Sequence, residues 1–242
     1  MSSKAVQQMT RHPLQRLSSP SRGISAVCHL FGIISFSLSY KYLFEFPTFI
    51  NDSYGWHFQY LTILGLTVAF GTFIAGFLAD ITLSPNLFLI KNTLSLCSAP
   101  LEVLISVLYW GISAVDKTLL VPPEIHIAPL ADIGFHAMPS ILLAIDLLLL
   151  SPPWTIKTSQ ALALSSAIAV AYWFWVEECF KHNGFYPYPM FGVLTTIPRA
   201  GVFAGAVLLM TGSTVVLQKL CSLINGRLPA DKSQAPSSIK TD

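Results

Sequence analysis

Charge is what this sequence has least of. Its 242 residues include 14 Lys and Arg and 12 Asp and Glu, 11% of the chain, where a soluble globular domain holds roughly 25%. So little charge on so apolar a chain excludes intrinsic disorder and a basic nucleic-acid-binding surface. Cysteine is equally thin. Cys28, Cys97, Cys179 and Cys221 form no CxxC pair and no metal-ligand spacing, so they specify no metal site and leave the redox compartment open. Cys28 and Cys97 read as small packing residues. Also missing are the Gly-x-Ser-x-Gly elbow, the His-Glu-x-x-His zinc motif and a phosphate-cradling glycine loop, which excludes the families built on them and leaves other chemistries open.

Apolar residues are abundant, at 53% with a mean hydropathy of +0.61. They fall in six runs, Ile24–Phe44, Phe58–Ile81, Leu94–Val115, Leu130–Leu150, Gln160–Val176 and Ala200–Leu217. Inside these runs the only charged residues are Lys41, Asp80, Glu102, Asp132 and Asp146. About 20 apolar residues at 1.5 Å rise cross a hydrocarbon core of about 30 Å. The sequence therefore predicts an all-α polytopic membrane protein, a bundle of six transmembrane helices over residues 24–224. A basic tail precedes it at 1–23, and a Gly-, Pro- and Ser-bearing tail follows it at 225–242, where disorder is expected. No internal repeat is visible.

Six spans put both termini on one side. Counting Lys4, Arg11, Arg16, Arg22, Lys91, Lys157, Lys219, Arg227, Lys232 and Lys240 there, the positive-inside rule predicts cytosolic termini. The start reads as a signal anchor, with a mitochondrial transit peptide as the alternative for an acid-poor stretch bearing Arg and Ser. On the opposite side, Asn51-Asp52-Ser53 is a glycosylation sequon. The aromatic, Pro-rich stretch 184–192 reads as an interfacial belt, ahead of a substrate lid.

Chemistry concentrates in the few polar residues at membrane depth. His136 lies on span four with Asp132 and Ser140 four residues before and after it, so either it locks packing or it acts. Asp132 either orients His136 or caps the interface. Thr62 opens span two. A threonine in a membrane helix usually returns its hydroxyl to a carbonyl one turn back, so alone it is a weak nucleophile candidate. Gly65 and Ala69 continue its face, which predicts close approach of another helix. Thr62 and His136 lie roughly 6 and 9 Å inside their parallel spans, a matched depth at which a hydroxyl and an imidazole can pair as nucleophile and base. Toward the other side, Asp80, Glu102 and Asp146 read as hydrogen-bonded struts or as an ion path, with His29 able to join them. Lys41 is expected to snorkel outward.

The stretch Tyr54-Gly55-Trp56-His57-Phe58-Gln59-Tyr60-Leu61-Thr62 resembles the start of the second span of the androgen-induced and androgen-dependent membrane hydrolases. Ile133-Gly134-Phe135-His136 through Asp146 is similar to their histidine-bearing span. Pro100 through Pro122, with Asp116-Lys117, resembles the third, and Tyr188-Pro189 with Arg199 matches a Tyr-Pro and a downstream Arg. The resemblance runs from span one to span six. It implies a threonine hydrolase that cleaves fatty acid esters of hydroxy fatty acids in the endoplasmic reticulum or plasma membrane. Thr62 would be its nucleophile and His136 its base, with no cofactor, and its partners would be a lipid ester substrate and membrane lipids. The oxyanion donor is open, with Asn51, Gln59 and Tyr60 as candidates. Ile133 and Pro139 depart from the family pattern and bear on substrate choice and the local helix bend. A proton, ion or lipid transporter using Asp80, Glu102, Asp146 and His136 is the alternative reading, and a catalytically silent scaffold is a third.

Overall fold

The computed structural model describes residues 20–225, and among these every regular element is helical. The expectations for most of the N-terminal tail and for the C-terminal tail, including the signal-anchor and transit-peptide readings, fall outside the described residues. Helix α1 (Arg22–Glu45) starts on Ser21, whose hydroxyl accepts from Ile24 N–H. Two short 3₁₀ turns, Phe49–Asp52 and Trp56–Gln59, lead into α2 (Leu61–Thr82). Next come α3 (Pro85–Asp116), α4 (Pro129–His136), α5 (Met138–Ile145) with a π-helical turn at Asp146–Leu150, α6 (Thr158–Asn183), α7 (Pro189–Val193) and α8 (Thr196–Asn225). Among the described residues five helices are long and apolar enough to span a membrane, and the pair α4 and α5, bent by 42° at Ala137, makes six when it is counted as one broken span.

The bounds differ from the hydropathy runs in instructive ways. Span two begins at Leu61 rather than Phe58, because Gly55, at φ +82°, turns the chain and holds the next residues in a 3₁₀ turn. A Cβ at Gly55 would lie 2.9 Å from Cys179 Sγ, so the turn needs glycine both for its conformation and for its closeness to α6. Span three begins at Pro85, nine residues before Leu94. Ser84 caps it and Pro85 occupies its first turn, the preferred chemistry of a helix start. Lys91 is therefore a helical residue only 1% exposed, and its place among the loop cations that set the topology is corrected.

Helices α1, α2, α3 and α5 pack around a core of Phe36, Leu66, Phe73, Leu143 and Leu147, all fully buried. Where side chains must interdigitate, glycine makes room: a Cβ at Gly65 would meet Glu102 Oε1 at 2.6 Å and one at Gly76 would meet His29 Nε2 at 2.5 Å. At one end of the bundle these helices share a closed ionic cluster. His29 Nδ1 lies 2.7 Å from Asp80 and its Nε2 3.0 Å from Asp146, while Lys91 Nζ is 2.6 Å from Asp146. Ser25 donates to Asp80, Lys91 donates to Ser151, and Ser151 donates to Asp146. With a carboxylate at each ring nitrogen, only an imidazolium satisfies both, and two anions then balance two cations. His29 thus joins Asp80 and Asp146, as the strut reading allows. Glu102 does not, since it lies against Gly65, 1% exposed, with no partner for Oε1. Lys41 is exposed and pairs with Glu45.

Removing one member of a buried ion pair strands the other, at a cost of about 3–5 kcal/mol. Lys91→Met is expected to lose stability of this order, measured by unfolding of the detergent-solubilised protein, whereas Lys41→Met is expected to leave stability unchanged.

Candidate functional site

The other end of the bundle is built around the break at Ala137 (φ −127°, ψ −47°). Pro139 lacks an N–H, and its ring clashes with the carbonyl one turn back, so the helix cannot run through. The break frees the carbonyl of His136. Two side chains of α3 take it up: Ser106 Oγ donates at 2.5 Å and Trp110 Nε1 at 3.2 Å. Ser140 Oγ lies 2.8 Å from Ser106 Oγ. A carbonyl that would otherwise face hydrocarbon thus fixes the registry of α4 against α3.

His136, 6% exposed, is held on three sides. Its Nδ1 is 2.9 Å from Asp132 Oδ1, its ring stacks on Tyr109 with centroids 3.4 Å apart, and Asp132 in turn pairs with Lys117 Nζ at 2.8 Å. Lys117 anchors the carboxylate from the turn after α3, so Asp132 orients the imidazole rather than capping an interface. An Nδ1–H donated to Asp132 leaves Nε2 as the acceptor.

Thr62 is the second residue of α2 and 7% exposed. Thr67, Thr72, Thr82, Thr93, Thr211 and Thr214 each return the hydroxyl to a carbonyl four residues back. Thr62 does not. Its counterpart carbonyl, Phe58 O, lies in the 3₁₀ turn and accepts from Trp175 Nε1. The Thr62 hydroxyl instead has Tyr188 beside it. Leu61 N–H donates to Tyr188 and to Tyr172, each at 3.1 Å, and Tyr172 passes its own proton to Gln59 O at 2.9 Å.

Two cavities meet at Thr62. The first has roughly 810 Å³ of open space and is lined by α3, α6 and α8 through residues such as Leu104, Leu108, Ile168 and Ala206, with no charged side chain on its wall. The second, roughly 760 Å³, is lined by His136, Tyr42, Tyr60, His57, Leu120–Pro122 and Ile125–Ile127. Thr62, Tyr109, Leu120 and Tyr188 line both. Thr62 and His136 therefore share the wall of one cavity, with no hydrogen bond between them among the described residues.

Other expectations change. Tyr188 and Phe191 turn inward onto the apolar cavity, so at these positions the aromatic stretch is wall rather than interfacial belt. The Asn51 nitrogen donates to Leu43 O and its oxygen accepts from Thr48 N–H. Gln59 uses both amide hydrogens, on Ser53 and on Trp56 O. Neither residue is on the wall of either cavity, whereas Tyr60 faces the second cavity edge-on to Tyr188. Asp80, Glu102, Asp146 and His136 lie in three separate places, so the structure forms no continuous ion path from them. Tyr188 and Lys117 were not legible as site residues. A tyrosine 126 positions from Thr62 carries no local signal for contact with it.

The fold and its buried polar end define a multipass helical membrane protein with two cavities that meet at Thr62. Residues 24–222 match the FAR-17a/AIG1-like proteins, and the chain belongs to that family. It is also 37% identical over 171 residues, 70% of this chain and 77% of the relative, to a UPF0641 membrane protein of Schizosaccharomyces pombe. No solved structure matches.

His57 closes one side of the second cavity, its Nε2 3.1 Å from Asn51 Oδ1. Burial pushes its pKa from 6.5 down to about 4. The unfolded chain thus takes up a proton below pH 6.5 that the folded loop refuses until about pH 4, and stability falls with pH across that window. His57→Asn is expected to flatten this slope in thermal unfolding between pH 7 and 4.

Proposed function

We propose that this protein is an intramembrane lipid ester hydrolase that cleaves fatty acid esters of hydroxy fatty acids, with Thr62 as nucleophile and His136 as base. The observation that carries the reading is the freed Thr62 hydroxyl at the junction of two cavities, one of which it shares with a histidine whose Nδ1 is spent on Asp132. Each other threonine named above locks its hydroxyl onto its own helix, whereas this one turns to Tyr188 at the cavity wall. Asp132, held by Lys117, keeps the imidazole in the tautomer and orientation a base needs, as in a Ser-His-Asp arrangement. His136 Nε2 accepts the Thr62 proton as Oγ1 attacks the ester carbonyl, giving an acyl-threonine that water then hydrolyses.

The Tyr188 hydroxyl is the best-placed donor for the oxyanion. Its oxygen accepts from Leu61 N–H, which polarises its own O–H as a donor, and it lies beside the Thr62 hydroxyl. The double cavity suits a substrate whose ester lies at the junction of two arms, with Thr62 on the wall of both. The endoplasmic reticulum or plasma membrane, with both termini cytosolic, is the location proposed with this reading.

Membranes expressing the wild type are expected to hydrolyse a branched fatty acid ester. Thr62→Ala and His136→Ala should each lose about 10²–10⁴-fold in rate, and a fluorophosphonate probe should label the protein only when Thr62 is present. Equal activity in all three proteins, above background, would remove the dyad. Asp132→Asn is expected to lower kcat with KM little changed, and Tyr188→Phe to lower kcat by about 10²–10³-fold while the fold is retained.

A further inference from the structure

The two cavities are not equivalent with respect to the base. Thr62 lines both, but His136 lines only the second. This asymmetry matters because the base acts twice. It takes the Thr62 proton as the Oγ1–carbonyl carbon bond forms, then gives that proton to the alkoxide oxygen as the ester C–O bond breaks. The departing oxygen must therefore lie on the side of His136 Nε2. When the alcohol has left, the space beside Nε2 is where water enters to attack the acyl-threonine. Its proton passes to Nε2 and back to Thr62 Oγ1.

The walls agree with that order. The cavity without His136 follows α3 from Tyr109 to Leu101, about 12 Å at 1.5 Å per residue, with Met210 on its wall and no charged residue among those that line it. The cavity with His136 carries Thr48, His57 and the exposed His126, polar groups on the side from which water and a free carboxylate would pass.

We infer that the cavity between α3, α6 and α8 is the acyl subsite and the cavity facing His136 is the subsite of the departing hydroxy acid, so that chain-length selectivity for the two halves of the ester is set by separate residues. The inference rests on the hydrolase reading above and assigns Leu108 and Ala206 to acyl selectivity and Ile125 to hydroxy-acid selectivity.

Two ester series test it on the full-length protein in detergent: one hydroxy acid with acyl arms from butanoyl to palmitoyl, and one acyl arm on hydroxy acids of decreasing length. Ala206→Phe is expected to lower kcat/KM for the palmitoyl ester about ten-fold relative to the butanoyl ester. Leu108→Ala, which removes bulk and does not depend on fitting a larger ring, should shift preference toward longer arms. Neither should re-rank the hydroxy acids, and Ile125→Trp should re-rank only them. Rankings that move the opposite way, or that none of the three variants moves, overturn the subsite assignment and leave the hydrolase standing. A Thr62→Ala protein as active as the wild type overturns the hydrolase reading, and the assignment falls with it.

Discussion

A polar group in hydrocarbon has no water to turn to, so most of those in this bundle are answered from within the protein, Glu102 Oε1 being an exception. Helix α3 supplies most of the answers. Near its start Lys91 meets Asp146, and near its end Ser106 and Trp110 accept the burden of the His136 carbonyl. The break at Ala137 is tolerable because α3 has donors at that level, and the position of His136 follows from the break. Without those two donors a proline at 139 would leave a bare carbonyl in the core of the bundle.

The two polar centres of the bundle differ in what they leave unfilled. Around His29 both ring nitrogens, both aspartates and the lysine are paired within the cluster, and the side chains are at most 3% exposed. Such a cluster ties four spans together and offers nothing to a ligand. Around His136 one ring nitrogen is fixed by Asp132 and the other is left to the cavity, and Thr62 stands where its helix has not yet provided a carbonyl for its hydroxyl. Hydrogen-bonding groups beside open space are what separate a candidate site from a strut.

Much of this was legible in advance, and the limits have physical causes. Six apolar runs located the spans but not all of their ends: span three starts nine residues earlier, at Pro85, and the last two long helices run on to Asn183 and Asn225. Hydropathy could not tell that Phe58 would sit in a 3₁₀ turn set by Gly55, and it hid Lys91 in a loop although Ser84-Pro85 marked a helix start. The i, i+4 spacing put Asp132 beside His136, but whether it would orient the ring depended on Lys117, fifteen residues away in sequence. Matched depth brought Thr62 and His136 to one end of the bundle. It did not show that Tyr188 would arrive there too, or that Glu102 would stay apart from Asp80 and Asp146.

The sequence by itself determined that the chain crosses a membrane as helices and which few polar residues must travel with it, because transfer of long apolar runs out of water overwhelms every local preference. The tertiary structure decided which of those residues meet. It closed His29, Asp80, Asp146 and Lys91 into one cluster, and it set Thr62 between two cavities with His136 on only one of them. Such pairings depend on helix rotation and on where a helix breaks, and these follow from side-chain packing between distant segments rather than from any pattern within one segment.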